Sequence, residues 1–135
     1  NRFTQTFAVI MLDMDLFKRV NDSLGHQAGD RVLKEVAVRL RANTRQQDDI
    51  ARWGGEEFLI LLPDTDGKGA TAATDNIRAA LRDTPITTLD TSLNQTASFG
   101  IAVYDNKESA QRLVARASQA LQMAKECGRN RAVVA

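Results

Sequence analysis

The sequence predicts an α+β domain, an antiparallel-rich central sheet with helices packed on it. Two observations carry this. Apolar runs of strand length alternate with stretches of helical period in the order β-α-α-β-β-α-β-α-β. A Gly54-Gly55 pair also separates two of those strands, which marks a hairpin near the middle of the chain. The 135 residues suit one domain, large enough to bury a core without disulfides or a structural metal.

The elements follow in order. Residues 7–12 form an unbroken apolar run ending at Asp13, as expected of a strand buried on both faces. Residues 16–23 read as a short helix with Phe17 and Val20 on one side, interrupted by Gly25. From Ala28 to Asn43, Val32, Leu33, Val36, Ala37 and Leu40 recur at helical spacing, with Arg31, Lys34, Glu35 and Arg39 opposite. Residues 49–53 and 57–62 are strands flanking the diglycine, a hairpin signal because both glycines tolerate positive φ. Ala70 to Arg82 is a helix anchored by Ile77 and Leu81; residues 84–94 read as irregular, with a weak strand near Thr87. Residues 95–103 alternate as a strand in which Gly100 signals a bulge or a close backbone approach. Ala110 to Glu126 is a third long helix, ended by Gly128, and residues 131–135 are a terminal strand.

Composition narrows the function. Hydrophobic residues make up 43% and charged residues 26%, ordinary for a globular chain and unlike a disordered one. A net charge of +1 gives no global attraction to nucleic acid or anionic membrane, so any phosphate recognition must be local. The single cysteine, Cys127, excludes an internal disulfide, points to a reducing, cytoplasmic compartment, and is read as filling space. No apolar run approaches the roughly 20 residues of a membrane helix, so no direct membrane insertion by this domain is expected. The abrupt start at Asn1-Arg2-Phe3 suggests a domain continuing upstream into a sensory or membrane region.

Carboxylates dominate the candidate chemistry. Asp13 ends a buried strand, Asp15 follows on the same face of an extended segment, and Glu56 and Glu57 sit at the hairpin turn. If strand end and turn are neighbours, their hard oxygens suit Mg²⁺, and two such ions about 4 Å apart would clamp a phosphoryl transfer. Taken singly, each pair is more often a solvated cap or a turn former than a metal ligand. Gly54 and Gly55 are either a simple turn or room for a ligand against the backbone. Lys18, a turn beyond Asp15, is within reach of a phosphate or merely solvent-facing. Asn21 and Asp30 can read a base edge, since a carboxylate accepts two N–H donors of guanine; otherwise Asp30 caps the next helix and His26 is a loop residue. Lys125 and Arg129 complement a helix C-terminus or hold triphosphate oxygens.

Together these pieces resemble the GGDEF family of diguanylate cyclases. The resemblance runs through Asp13-x-Asp15-x-Phe17-Lys18-x-x-Asn21-Asp22, Gly25-His26-x-x-Gly29-Asp30, Arg52-Trp-Gly-Gly-Glu-Glu-Phe58, Ser98-x-Gly100 and Ala124-Lys125-x-x-Gly128-Arg129-Asn130, along nearly the whole chain in the family's order. It implies a fold related to nucleotide cyclase catalytic domains and the polymerase palm (ferredoxin-like), and condensation of two GTP into cyclic di-GMP with release of pyrophosphate. By position it implies Mg²⁺ (two ions per site, Mn²⁺ being an alternative) held by Asp13, the Met14 carbonyl and Glu56. Glu57 would activate the ribose 3′-hydroxyl as base or ligate the second metal. Guanine would be recognised by Asn21 and Asp30 with His26 nearby, phosphates neutralised by Lys18, Lys125 and Arg129, and Gly54-Gly55 would leave room for the nucleotide. Because one site holds one GTP, a homodimer partner domain is implied, brought together by an upstream sensory domain.

Arg45-Gln-Gln-Asp48 stands at the offset of the family's inhibitory site, where cyclic di-GMP binds away from catalysis; its plainer reading is an i,i+3 ion pair. The family's opening Leu-Thr-Gly-Leu-x-Asn-Arg segment is not aligned to Asn1-Arg2, which lie too near the strand. Gln122 and Ser118 replace the family's usual tyrosine and aspartate, neither in a metal role. The competing expectation is a catalytically silent domain that binds GTP or cyclic di-GMP and signals by contact; a changed base choice fits Asp30 poorly.

Overall fold

The computed structural model describes residues 6–88 and 91–135. Asn1-Arg2 lie outside the described residues. The main sheet has five strands in the order β2-β3-β1-β6-β7, from β1 (Phe7–Met14), β2 (Asp49–Arg52), β3 (Glu57–Pro63), β6 (Ala97–Val103) and β7 (Ala132–Val134). Neighbours pair antiparallel except β6 and β7, which are parallel and joined by the crossover helix α4 (Ala110–Glu126). The sheet is therefore antiparallel-rich, as expected.

The central position of β1 explains its unbroken apolar sequence. Ala8, Ile10, Leu12 and Met14 face a core shared with α1 (Phe17–Leu24), α2 (His26–Ala42) and α3 (Gly67–Asp83). Val9 and Met11 face the opposite core, closed by Leu113, Ala117 and Leu121 of α4. Strand β6 alternates in the same way. Phe99 and Ile101 fill the first core, while Ala102 packs on the α4 side. At Gly100 the close approach suggested by the sequence is real. A Cβ there would lie 2.0 Å from the Ala117 carbonyl oxygen and 2.3 Å from the Leu121 nitrogen. The helix backbone rests directly on the strand.

Several boundaries differ from expectation for local reasons. Helix α2 begins at His26, not Ala28, because Gly25 (φ 90°) both ends α1 and starts α2. His26 is thus a helical residue, and Asp30 lies in the second turn and does not cap. Strand β2 stops at Arg52 because the Trp53 N–H already bonds the Glu57 carbonyl at 2.8 Å. Helix α3 begins at Gly67 on Asp66, whose carboxylate accepts the Gly69 N–H at 2.8 Å. Part of the segment read as irregular is a small two-stranded sheet, β4 (Ile86–Thr87) with β5 (Ser92–Leu93). Cys127 is exposed and does not fill space. Arg39, assigned by period to the outer face of its helix, caps the end of α3, donating to the Ala80, Thr84 and Pro85 carbonyls at 3.1, 2.6 and 3.0 Å. No described helix is long and apolar enough to cross a membrane.

Candidate active site at the end of the central strand

The sheet register brings the two carboxylate motifs together. Asp13, the penultimate residue of β1, is directly opposite Glu57, the first residue of β3, and the Met14 N–H donates to the Glu56 carbonyl at 3.2 Å. Directly paired residues of antiparallel strands share a face, and here it is the α4 face. That is why Lys125, in the last turn of α4, reaches Asp13, with Nζ 2.6 Å from Oδ2. Asp13 is buried, so its charge is expensive to leave unpaired and the ammonium group compensates it. Glu56 feels the crowding. Burial raises its carboxyl above the ordinary 4.5, the Asp13 carboxylate raises it further, and Lys125 opposes both. Excess negative charge of this kind is relieved by a cation. Among the described residues no three His, Cys, Asp or Glu side chains form a metal cage. The donor set fits an ion that uses few carboxylates and keeps its other positions open, as Mg²⁺ does.

Neither Gly54 nor Gly55 has φ in the left-handed region. A Cβ on Gly55 would meet nothing within 4 Å, and one on Gly54 only Glu57 atoms at 3.8 and 3.9 Å. The turn is shaped otherwise: the Glu57 carbonyl accepts from both Trp53 and Gly54, at 2.8 and 3.3 Å. Arg52 holds it from outside, donating to the Gly54 carbonyl at 3.2 Å and the Gly55 carbonyl at 2.6 Å. The fold itself does not require glycine at either position.

The residues assigned to the base lie on the α1–α2 pair. Asp30 shares a cleft of about 530 Å³ with Arg52 and Phe58 of the hairpin, with Leu33 and Lys34 beside it. Asn21 is half-buried against Gly29, where a Cβ would come within 1.9 Å of Asn21 Oδ1. The sequence showed Gly29 only as a glycine beside Asp30; its function here is to admit the Asn21 amide. Lys18 and His26 are exposed on α1 and at the start of α2.

Asp15 goes elsewhere than the metal reading of the Asp13/Asp15 pair expected. Its carboxylate accepts from Ser98 Oγ at 2.6 Å, Thr96 Oγ1 at 2.6 Å and the Asn130 N–H at 3.0 Å. Both oxygens already have partners. The turn between α4 and β7 carries Arg129, exposed and at φ 63°.

Arg45 and Asp48 form the expected ion pair, but a tightly built one. Asp48 is buried, Arg45 NH2 lies 2.7 Å from its Oδ1, and the same guanidinium donates to the Pro63 carbonyl and Thr65 Oγ1, each at 2.8 Å. The hydrogen bond with Asp48 raises the Arg45 guanidinium above its usual value. The pair lines a cleft of about 490 Å³ with Thr44, Asp64, Asp66 and Asn76. It lies at the opposite end of β3 from Glu57; six steps of about 3.4 Å put the two ends roughly 20 Å apart.

The five-stranded sheet with its packed helices is the palm-like cyclase fold of the solved GGDEF structures it matches. The chain belongs to the GGDEF family: the family model "Diguanylate cyclase, GGDEF domain" matches residues 1–131. It is 41% identical over 128 residues to Diguanylate cyclase A of Treponema denticola, covering 94% of this chain and 34% of that protein. The chain thus spans about a third of that relative's length. Among solved structures it is similar to diguanylate cyclase SiaD of Pseudomonas aeruginosa, in complex with its activator SiaC (TM-score 0.93, 40% identity, 97% of this chain and 50% of that one). It is also similar to the GGDEF domain of DgcB from Caulobacter crescentus in complex with c-di-GMP (TM-score 0.92, 32% identity, 96% and 78%).

Proposed function

We propose that this domain is a diguanylate cyclase that condenses two GTP into cyclic di-GMP across a homodimer. The observation that carries the reading is the convergence of Asp13, Glu56 and Glu57 beside two glycines the fold does not need. Glycines kept without a conformational or packing reason fit a nucleotide lying against the backbone.

The chemistry follows from the residues. The ribose 3′-hydroxyl of each GTP attacks the α-phosphorus of the other; the new P–O bond forms as the bond to the β-phosphate bridge breaks and pyrophosphate leaves. Two such transfers close the ring and release two pyrophosphates. Glu57 takes the hydroxyl proton or ligates the second metal. Asp13, Glu56 and the Met14 carbonyl would hold Mg²⁺ or Mn²⁺, which when bound supplies positive charge for the phosphate oxygens. Lys18, Lys125 and Arg129 neutralise phosphate charge, Lys18 where it builds during transfer. Asp30 and Asn21 read guanine, with His26 at the edge. One domain presents one GTP, so a partner must supply the other, in a cytoplasmic protein whose remaining sequence controls dimer formation. The cleft of Arg45 and Asp48 binds cyclic di-GMP and slows the enzyme, a reading supported by its distance from Glu57.

The test is synthesis of cyclic di-GMP from GTP and Mg²⁺ by the chain dimerised through a fused coiled coil. Loss of a general base costs about 10²- to 10⁴-fold in rate, and Glu57→Gln should fall by that much. A dimer that binds cyclic di-GMP but makes none would instead identify a silent receptor. Arg45→Ala should weaken product inhibition and spare turnover; unchanged inhibition would remove the product site.

A further inference from the structure

We propose that Asp15 is a positioning residue that fastens the α4–β7 turn, and with it Lys125 and Arg129, to the end of β1. The inference rests on the reading of this strand end as a GTP site, and concerns what holds the phosphate-binding side chains in place.

Asp15 is 9% exposed, and its donors are two hydroxyls and a backbone amide, none of them cationic. The hydroxyls belong to Thr96 and Ser98, so the carboxylate is tied to the start of β6. Its own backbone is tied there too: the Asp15 N–H donates to the Thr96 carbonyl at 2.9 Å, and Gln95 Nε2 donates to the Asp15 carbonyl at 2.8 Å. The third donor, the Asn130 N–H, belongs to the turn. Arg129 and Asn130 stand at φ 63° and 47°, a left-handed pair that residues with side chains leave unless held. Arg78 grips the other side of Asn130, donating to its carbonyl at 3.3 Å, and the Arg129 N–H bonds the Ala124 carbonyl at 3.0 Å. Asp13 and Asp15 therefore hold one structure at two points. Asp13 takes Lys125 Nζ and Asp15 takes the Asn130 N–H.

A positioning role and a metal-ligand role respond differently to the loss of charge alone. In Asp15→Asn the side-chain oxygen still accepts the Asn130 N–H, and the Ser98 hydroxyl turns to accept from the new amide. In Asp15→Ala the turn is released. The chain, dimerised through the same fused coiled coil, is measured with GTP and Mg²⁺ for KM and kcat, and by hydrogen exchange at the Asn130 amide. Binding energy worth about one hydrogen bond corresponds to about a tenfold rise in KM, expected in Asp15→Ala with faster exchange at Asn130 and a smaller change in kcat. Asp15→Asn should stay within about twofold of the parent in KM with slow exchange. Turnover in Asp15→Asn as poor as for a lost metal ligand overturns the proposal, and this holds even where Asp15→Ala does not fold. Unchanged exchange at Asn130 in a folded Asp15→Ala overturns it as well. A dimerised parent that does not use GTP refutes the GTP reading, while amide exchange still decides the anchor.

Discussion

Replacing Gly100 by alanine adds one methyl group at the point where the sheet and α4 touch. Its Cβ would be 2.0 Å from the Ala117 oxygen, 2.3 Å from the Leu121 nitrogen and 3.0 Å from the Leu121 Cα. All three are backbone atoms, so no side-chain rotation opens the space. Ordinary contact begins near 3.4 Å, so α4 must retreat by more than an ångström, and Leu113, Ala117 and Leu121 lose contact with Val9, Met11 and Ala102. Overpacking costs typically about 1–3 kcal/mol; with the whole helix displaced, about 3 kcal/mol or more is expected. At about 3–5 °C per kcal/mol for a domain of this size, the melting temperature should fall by roughly 10–15 °C. Urea denaturation followed by circular dichroism measures the first figure and calorimetry the second. The same retreat draws Lys125 away from Asp13, so GTP use should suffer at temperatures where the variant is still folded. A loss below about 1 kcal/mol would refute the close approach, since a methyl group cannot be accommodated at 2.0 Å from a carbonyl oxygen without displacement.

Other substitutions separate folding from function. Gly55→Ala should leave the melting temperature within about 2 °C, because nothing lies within 4 Å of the added atom, yet cut cyclic di-GMP synthesis; full activity would show that the nucleotide does not approach there. Gly29→Ala should push the Asn21 amide aside and raise KM for GTP about tenfold, a loss comparable to one hydrogen bond, while an unchanged KM would remove Asn21 from base recognition. Glu108 is bonded by Arg116 at 2.7 and 2.9 Å, and that hydrogen bond lowers its carboxyl below the ordinary 4.5. A lowered folded value means stability that is present above pH 4.5 and disappears as pH falls through the folded value. Glu108→Gln should therefore be less stable than the parent at neutral pH and converge with it in acid; a gap that persists at low pH would assign the loss to packing.

The legible parts of the fold were those whose cause is local. An unbroken apolar run such as residues 7–12 can be central only if both faces of its strand are covered, and those of β1 are. Gly100 announced a close approach because a glycine inside a strand otherwise weakens it. The glycine pair marked the hairpin correctly, though the turn does not use the positive φ that glycine tolerates: the Glu57 carbonyl shapes it. What stayed hidden depends on partners far along the chain. Asp15 looked like half of a metal motif, and nothing in its neighbourhood discloses that Thr96, Ser98 and Asn130 would occupy it. Arg39 looked like a solvated helix residue because its acceptors lie more than forty positions away. The convergence of Asp13 on Glu57 was readable only as a condition, that strand end and turn be neighbours, which the register of β1 on β3 satisfies.

The Arg45 guanidinium spans Asp48, Pro63 and Thr65. An anion that reaches this arginine must exchange partners with it, displacing bonds already made. Such a site answers weakly to traces of ligand and responds once the concentration is high enough to compete. On the product-site reading proposed above, loosening this clasp, for instance with Thr65→Val, should lower the cyclic di-GMP concentration needed for inhibition and leave Glu57, at the other end of β3, untouched.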